Sequence, residues 1–346
     1  MRPSHIERPR ELSLSQRART VLPLTALGVG AACFAYAAVY EVRSFRLRRF
    51  DVPVLAEGAA PIRVLHISDL HLTPRQAKKR AWVRDLARLE PDLVLNTGDN
   101  IAHRNAVPVA LDALGPLLDR PGGFVFGSND YYAPTLKNPA RYLWQRRSRL
   151  GDRPQPLPWE DLQKGLVDAG WLDLSNARET LRLADGREVE LVGVDDPHIG
   201  RDRYDQVSGA ARWPAPDQTV GAGRIGERQR IRSTAGAGTE PGISIGIAHA
   251  PYRRMLDRMA ADGFPLIAVG HTHGGQVCLP GFGALVTNSD LDRRRAKGLS
   301  RYGNSWLHVS AGLGTSPYAP FRFACPPEAT LLTLVPTDFR EHSPLG

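Results

Sequence analysis

The chain has 346 residues, 42% of them apolar, and a formal net charge of +9. This apolar content is sufficient for one large hydrophobic core or two small ones, and the sequence contains no internal repeat. The positive charge is compatible with an anionic lipid surface, a polyanionic substrate or a nucleic acid. Because no basic and aromatic recognition motif accompanies the arginines, nucleic acid is not expected as a partner. The cysteines show no metal-ligand spacing, and Cys278 and Cys325 are the only pair outside the apolar N-terminal segment.

The first predicted element is an apolar helix near the N-terminus. Residues 21–40 carry no charge and stand between a basic tail, residues 1–20, and four arginines in residues 41–60. A helix of this length spans the hydrocarbon of a bilayer, so the segment predicts a transmembrane anchor. A cleaved signal peptide is the alternative, since Ala35-Tyr36-Ala37 has a small-x-small pattern, but the apolar run continues past that point. The arginines on the two sides nearly balance, so the sequence leaves the side of the membrane open.

After the anchor, short apolar runs alternate with helical patterns, which predicts an α/β fold. Strands are predicted at residues 62–67, 93–96, 123–126, 188–194, 243–248, 266–270, 306–310 and 330–335. Helices are predicted at residues 78–89, 109–119, 159–169 and 252–261.

The regular recurrence of these units favours a single catalytic domain. It is predicted to cover residues 41–336 and to precede a C-terminal tail at 337–346. Within it, residues 138–157 are rich in arginine and residues 208–242 in glycine, alanine and arginine. The second stretch is too long for an ordinary connection, and both are predicted to be flexible insertions. They are either loops at the rim of the site that select the substrate or solvated segments without such a role.

Polar clusters follow five of the predicted strands. In chain order they contain Asp69 with His71, Asp99, Ser128 to Asp130, His249, and His271 with His273. Side chains two residues apart on extended backbone point the same way, so each pair is expected to grip one ion. Open α/β folds place their sites where strands end, so the clusters are expected to converge. Carboxylates and imidazoles without thiolates suit Mn, Fe or Zn in hydrolysis, and the ligands are too many for one ion.

The ordered clusters resemble the signature of the calcineurin-like metallophosphoesterases: Asp-x-His, Gly-Asp, Gly-Asn-His-Asp, a His, and Gly-His-x-His. The resemblance covers roughly residues 45–336. Residues 270–276, Gly-His-Thr-His-Gly-Gly-Gln, are similar to the membrane-associated phosphodiesterase branch, as are the lead-in at 41–54 and the tail from Ser310 through Arg322 to Glu328. The resemblance implies two mixed β-sheets packed face to face and flanked by helices, a four-layer sandwich.

Carried over residue by residue, the resemblance implies two divalent metal ions. The implied ligands are Asp69, His71 and His273 for the first ion, Asp99 as the bridge, and His249 and His271 for the second ion. Two such ions activate a water molecule and clamp a phosphoryl group, so no protein nucleophile is required.

The chain departs from the family at the third cluster, where Ser128 and Asn129 stand in place of an Asn ligand and a catalytic His. Serine is a poor ligand, so either Asn129 supplies its amide oxygen or the second ion binds more weakly. Help from a general acid is typically worth about 100- to 10,000-fold. His103 or His198 could stand in as that acid, although an exposed or backbone-bonded histidine is the simpler interpretation of each. Asp130 is expected to cap its turn or to orient the site.

These features predict a membrane-anchored phosphoesterase that hydrolyses a phosphodiester or a pyrophosphate. A phosphate leaving group needs a general acid less than an alkyl ester does, which favours a pyrophosphate or an activated diester. The short distance from Tyr40 to the first cluster would hold the active site close to the lipid headgroups, so a lipid-linked or nucleotide-sugar substrate is expected. The alternatives are a phosphomonoesterase or protein phosphatase, and a membrane-tethered metal-binding module without turnover, since a fold alone does not choose among them.

Overall fold

Two β-sheets of six strands each face one another in the computed structural model of the protein. The structure describes residues 14–134, 155–214, 216, 242–315 and 319–339, with side chains from residue 25 onward. Helices cover the outer faces of the sheets. The predicted fold class, two mixed sheets packed face to face and flanked by helices, is confirmed.

The described part of the chain forms six α-helices and fourteen strands. The helices are α1 Leu14–Ala35, α2 Ala77–Asp85, α3 Val107–Leu118, α4 Ser128–Tyr131, α5 Trp159–Asp168 and α6 Arg253–Ala261. The strands are β1 Arg46–Leu55, β2 Ile62–Ile67, β3 Leu93–Asn96, β4 Gly122–Phe124, β5 Leu172–Asp173, β6 Ala177–Arg182, β7 Glu188–Val194, β8 Ile243–Ala248, β9 Leu266–Val269, β10 Cys278–Leu279, β11 Gly283–Ala284, β12 Gly298–Tyr302, β13 Ser305–Val309 and β14 Glu328–Pro336.

The strand order places the ends of the central strands side by side. The first sheet has the order β1-β14-β2-β3-β4-β5, and the second has the order β12-β13-β9-β8-β7-β6. Strands β2, β3 and β4 run parallel in one sheet, as do β7, β8 and β9 in the other. Such strands are buried on both faces, which is why they read as nearly continuous apolar runs. Their carboxyl ends meet at one edge, where the polar clusters follow.

Three apolar layers hold the sandwich together. Val64, Leu95 and Ile245 are fully buried between the two sheets. Leu114 of α3 belongs to the layer that joins the first sheet to α2, α3 and α5. Met259 of α6 belongs to the layer that covers the second sheet. Burial of each such side chain contributes about 1.5–3 kcal/mol, so the site rests on a rigid frame.

The elements predicted from the sequence are present, and their ends differ mainly in the helices and at β4. The pattern expected at 78–89 is α2 followed by a 3-10 turn at Leu86–Leu89. The sequence analysis missed α4, β5, β6, β10, β11 and β12, and it implied β1 only through the resemblance of residues 41–54 to the lead-in of the phosphodiesterase branch. Strand β6 lies at an edge of its sheet and is half exposed, so it lacks the apolar run that reveals a buried strand.

The N-terminal helix continues beyond α1 through a π-helical turn at Tyr36–Tyr40 and a 3-10 turn at Glu41–Arg43. The segment Thr25–Arg43 is long and apolar enough to cross a membrane, and 11% of it is buried, unlike a core helix. A signal sequence near an N-terminus has the same length and composition.

The end of this helical segment is attached to the domain. The Arg322 backbone N–H donates a hydrogen bond of 3.1 Å to the carbonyl of Ala37. The Glu41 carboxylate is buried and accepts from the backbone N–H groups of Ala324 and Cys325, at 3.1 and 2.5 Å. The helix therefore ends on the 321–325 loop and not on a free linker.

The two predicted insertions lie largely outside the described residues, which omit 135–154 and 217–241. Where the chain is described again, it belongs to the packed domain. Leu157 is buried against the helical side of the first sheet, and Ala211 is buried beside α6.

Candidate metal centre

The polar side chains that follow the central strands meet at one edge of the sandwich. Asp69 and His71 follow β2, Asp99 follows β3, Asn129 follows β4, His249 follows β8, and His271 and His273 follow β9. The structure therefore brings together all seven residues that the sequence analysis named as metal ligands.

The backbone at these residues is not extended. The φ angle lies between 42° and 71° at Asp69, His71, His271 and His273. The extended geometry expected from their spacing is wrong, because each pair lies in a tight turn beyond its strand end. Left-handed backbone costs a residue with a side chain on the order of 1–3 kcal/mol. Five of the ten described non-glycine residues with positive φ are candidate ligands, so strain is concentrated at this site.

One group of donor atoms consists of Asp69, His71 and His273. The Nε2 atoms of the two histidines lie 3.2 Å apart. Asp69 Oδ1 lies 3.9 Å from His71 Nε2 and 3.5 Å from His273 Nε2. All three atoms lie close enough to one another to share one ion.

A second group consists of Asp69, Asp99 and His249. Asp99 Oδ2 lies 3.5 Å from His249 Nε2 and also 3.5 Å from His71 Nε2. His271 extends this group, because its Nδ1 lies 3.2 Å from His249 Nε2. Both carboxylates therefore lie between the two sets of imidazoles, where bridging ligands would be needed.

The outer nitrogen of three of these histidines is held by a backbone carbonyl. His249 Nδ1 lies 2.7 Å from Thr97 O, His273 Nδ1 lies 3.0 Å from Gly314 O, and His271 Nε2 lies 3.3 Å from Asn288 O. A ring nitrogen next to a carbonyl carries the proton, so the other nitrogen offers its lone pair. The other nitrogen of each of the three rings faces the candidate centre.

Electrostatics favour a cation here. Burial lowers the pKa of His71 and His271 to about 4 and that of His273 to about 3, so these rings are neutral at pH 7 and can bind metal. Burial also acts to lower the pKa of His249, but nearby carboxylates, chiefly Asp99, hold it well above its usual value. Burial acts to raise the pKa of Asp99, but His249 and His71 hold it well below its usual value. The buried carboxylates therefore attract positive charge.

The packing also fits a bound ion. Asp69 Oδ1 is buried and has no hydrogen-bond partner among the described residues, which is costly for a carboxylate unless a cation satisfies it. A Cβ atom at Gly127 would lie 2.3 Å from Asp99 Oδ1 and 2.6 Å from His249 Cε1. Only glycine lets the backbone approach these two side chains so closely. The donor set and the space around it fit a bound metal ion.

At the third cluster, Asn129 and not Ser128 contacts Asp99, the candidate bridging ligand. The backbone N–H and the side-chain Nδ2 of Asn129 each donate to Asp99, both at 2.7 Å. Asp130 is fully buried and accepts from four backbone N–H groups, those of Asp99, Asn100, Ile101 and Gly127. Asp130 thus holds the turns that carry Asp99 and Asn129, which agrees with its expected capping and orienting role.

The family model of the calcineurin-like phosphoesterases matches residues 62–275, more than half of the chain. The chain belongs to this family. The resemblance identified from the ordered motifs is thereby confirmed, as is the prediction of a metal-dependent phosphoric ester hydrolase at the level of the family.

Two curated relatives extend the comparison. The chain is 29% identical to YkuE of Bacillus subtilis, an uncharacterized metallophosphoesterase, over 178 residues that span 51% of each protein. It is 26% identical to phosphodiesterase YaeI of Escherichia coli over 309 residues, 87% of this chain and 93% of YaeI. The chain thus spans about half of YkuE and nearly all of YaeI.

Solved structures of low sequence identity also match. TT1561 of Thermus thermophilus is 12% identical with a TM-score of 0.35, and the match covers 73% of this chain and 91% of TT1561. A dimetal phosphatase from Danio rerio is 11% identical with a TM-score of 0.34, and the match covers 73% of this chain and 88% of that structure.

Of the two histidines considered as stand-ins for the catalytic His of the calcineurin-like family, the structure places His198 beside the centre. Its ring centroid lies 4.4 Å from that of His271, and its Nδ1 lies 2.9 Å from the hydroxyl of Tyr252. His103 is exposed, and its Nδ1 accepts from the backbone N–H of Asn105 in its own loop. Geometry therefore favours His198 over His103.

Arg322 is a residue whose role the sequence analysis did not recognise. Its guanidinium is fully buried and donates to the carbonyls of Gly314 and Ala311, each at 2.7 Å, and of Gly312 and Cys325, each at 3.1 Å. Gly314 O also accepts from His273. Arg322 thus fixes the loop that orients a candidate ligand. The one sequence feature that pointed to Arg322 was its position in the C-terminal stretch that is similar to the phosphodiesterase branch.

Proposed function

We propose that this protein is a membrane-anchored phosphoesterase with two metal ions that hydrolyses a phosphodiester or a pyrophosphate. The observation that carries the proposal is the convergence of two buried carboxylates and four imidazoles on one centre. The likeness to a protein named as a phosphodiesterase, over 87% of this chain, supports the diester specificity.

In this proposal, each candidate ligand has a defined role. Asp69, His71 and His273 would hold one ion, Asp99 would be shared by both ions, and His249 and His271 would hold the other, with Asn129 next to them. Two divalent ions there, Mn, Fe or Zn, would supply an activated water near neutral pH and neutralise the charge of a phosphoryl group. The chain itself contributes rigid placement, because backbone carbonyls fix the rings and Asp130 fixes the loops.

The absence of a histidine at position 129 bears on the substrate. The Asn129 amide can donate a hydrogen bond to a developing charge, but it has no proton to transfer at neutral pH. A leaving group that is itself a phosphate needs little protonation. This chemistry supports a pyrophosphate or an activated diester, with a lipid-linked or nucleotide-sugar compound as the substrate class.

On an ester with a poor leaving group, His198 is the proposed proton donor to the leaving oxygen, so His198→Ala is expected to lower kcat on such an ester by about 100-fold or more. The loss should be much smaller with p-nitrophenyl as leaving group. His103→Ala, at an exposed position, should change neither rate. Rates over a series of aryl diesters measure the effect. An equal loss for good and poor leaving groups, together with lost metal, would show that His198 only supports His271.

Membrane anchoring is proposed for the apolar helix at Thr25–Arg43. Because Glu41 is buried in the domain, the catalytic domain would be held directly at the bilayer surface. The net charge of +9 is compatible with an anionic surface.

The first test is metal content and hydrolysis of bis-p-nitrophenyl phosphate against p-nitrophenyl phosphate, by the full chain in detergent with added Mn. We expect two metals per chain and faster turnover of the diester. Faster turnover of the monoester would support the phosphomonoesterase alternative. Bound metal with no turnover of either ester would support the metal-binding module. The full chain is needed, because a truncation at residue 44 would remove the buried Glu41.

A further inference from the structure

A short hairpin next to the candidate metal centre exposes apolar side chains. Outside the N-terminal helix, the large exposed apolar residues of the described chain are Val167, Leu279, Phe282, Leu285 and Phe339. Three of them lie within residues 279–285, on and beside the β10–β11 hairpin, and are 46%, 51% and 41% exposed. We call Leu279, Phe282 and Leu285 the hairpin face. Apolar side chains that are grouped at the surface mark a contact site more often than scattered ones do.

The hairpin face is continuous with the end of the N-terminal helix. The Cys278 backbone N–H donates to Phe323 O at 2.8 Å, and Val277 forms a β-bridge with Phe323. The Phe323 ring in turn packs edge-on against Tyr36 of the helical segment, with centroids 6.3 Å apart. A single residue of the 321–325 loop therefore joins the hairpin to the helix.

Basic side chains border the same face. The guanidinium of Arg293 lies 3.9 Å from the ring centroid of Phe282. Arg293 and Arg294 are exposed and belong to the 3-10 turn Arg293–Arg295, which contacts β11. The acidic neighbours are Asp292, whose carboxylate caps the backbone N–H of Arg294, and Asp290, which accepts from the backbone N–H of Arg253. An apolar tip with an excess of arginine around it is the composition of a surface that lies in a membrane interface.

We propose that the hairpin face is a second membrane contact, which inserts Leu279, Phe282 and Leu285 into the headgroup region of an anionic bilayer while Arg293 and Arg294 meet lipid phosphates. This proposal rests on the membrane anchoring proposed above. The lipid is favoured over another protein because the face continues the helix that would enter the bilayer. The turn suits insertion, since Gly281 and Gly283, with φ of 77° and 83°, present Phe282 at its tip.

The contact would also bring the candidate centre to the lipid. The hairpin follows directly on the turn that carries His271 and His273, and Gly275 of that turn fits against Ala284, where a Cβ would lie 2.3 Å from the alanine Cβ. A phosphodiester or pyrophosphate held in the bilayer would then reach the centre without leaving the membrane surface.

The test places an environment-sensitive fluorophore on the hairpin of the full chain. In a Cys33→Ser background, because Cys33 is exposed and the other cysteines are buried, Phe282→Cys and Leu285→Cys are labelled in turn. Val167→Cys on α5 is the matched control, since Val167 is also apolar and 48% exposed. The protein is reconstituted into vesicles of phosphatidylcholine and phosphatidylglycerol that contain a spin-labelled lipid as quencher.

We expect the lipid quencher to reduce the fluorescence at positions 282 and 285 at least about threefold more than at position 167, as for interfacial side chains. Equal quenching at all three positions, or none at 282 and 285, would overturn the proposal. A label shielded from aqueous iodide but not quenched by lipid would assign the face to another protein copy and overturn it as well. Quenching does not require turnover, so an inactive but quenched protein would contradict the proposed function alone.

Discussion

Asp99→Ala is expected to abolish turnover, with a fall in kcat of at least about 1,000-fold, the size expected when charge stabilisation at a reaction centre is lost. Asp99 Oδ2 lies 3.5 Å from both His71 and His249, so its removal takes a donor from both candidate ion positions. Asn129 would lose the acceptor of both its hydrogen bonds. We therefore expect fewer than two metals per chain, measured by elemental analysis of the purified variant.

The matched control for this variant is Asp119→Ala, the same substitution at an exposed position at the end of α3. It should retain two metals and the activity of the parent chain. Circular dichroism of both variants separates a local effect from unfolding. If Asp99→Ala keeps both metals at unchanged affinity, Asp99 is not a bridging ligand and the dinuclear assignment fails.

Arg322→Met is expected to lower the free energy of unfolding by about 1–3 kcal/mol, the range for leaving a buried hydrogen-bonding group without its partner. Methionine fills much of the same space but donates no hydrogen bond, so the carbonyls of Ala311 and Gly314 would remain buried with fewer donors. Because Gly314 O orients His273, the ion held by Asp69, His71 and His273 should also bind more weakly.

Chemical denaturation and calorimetric titration with Mn measure the two effects of Arg322→Met separately. Arg88→Met is the control, since Arg88 is exposed at the end of the α2 segment and forms a surface ion pair with the exposed Asp85. We expect that control to lie within about 0.5 kcal/mol of the parent chain. Unchanged Mn affinity in an Arg322→Met protein that is less stable would leave Arg322 a structural role but no part in positioning His273.

The hairpin labels and the substitutions of Asp99 and Arg322 test different parts of the protein. The Asp99 variant tests the candidate metal centre. The Arg322 variant tests whether the 321–325 loop positions that centre, and the labels test whether the hairpin face contacts lipid. Since the Arg322 backbone N–H also bonds to Ala37 at the helix end, the 321–325 loop contacts the N-terminal helix, the hairpin and the candidate centre at once.

The sequence by itself determined the fold class, the family and the set of residues that meet at the strand ends. Strands such as β2 and β8 were predictable because full burial demands an apolar run, and Asp69 and His273 were predictable because their motifs are local and ordered along the chain. The edge strand β6 escaped, since its half-exposed residues give no such run.

Only the tertiary structure decided the roles that depend on distant contacts. Glu41 accepts a hydrogen bond from Cys325, 284 residues away, and His198 lies against His271 from another loop. The spacing of these residues in the sequence therefore predicts neither contact. The backbone at Asp69 and His271 was expected to be extended, but it is left-handed, because the chain turns immediately after each strand end. Local sequence determines which side chains are available, whereas packing between the two sheets determines which of them meet.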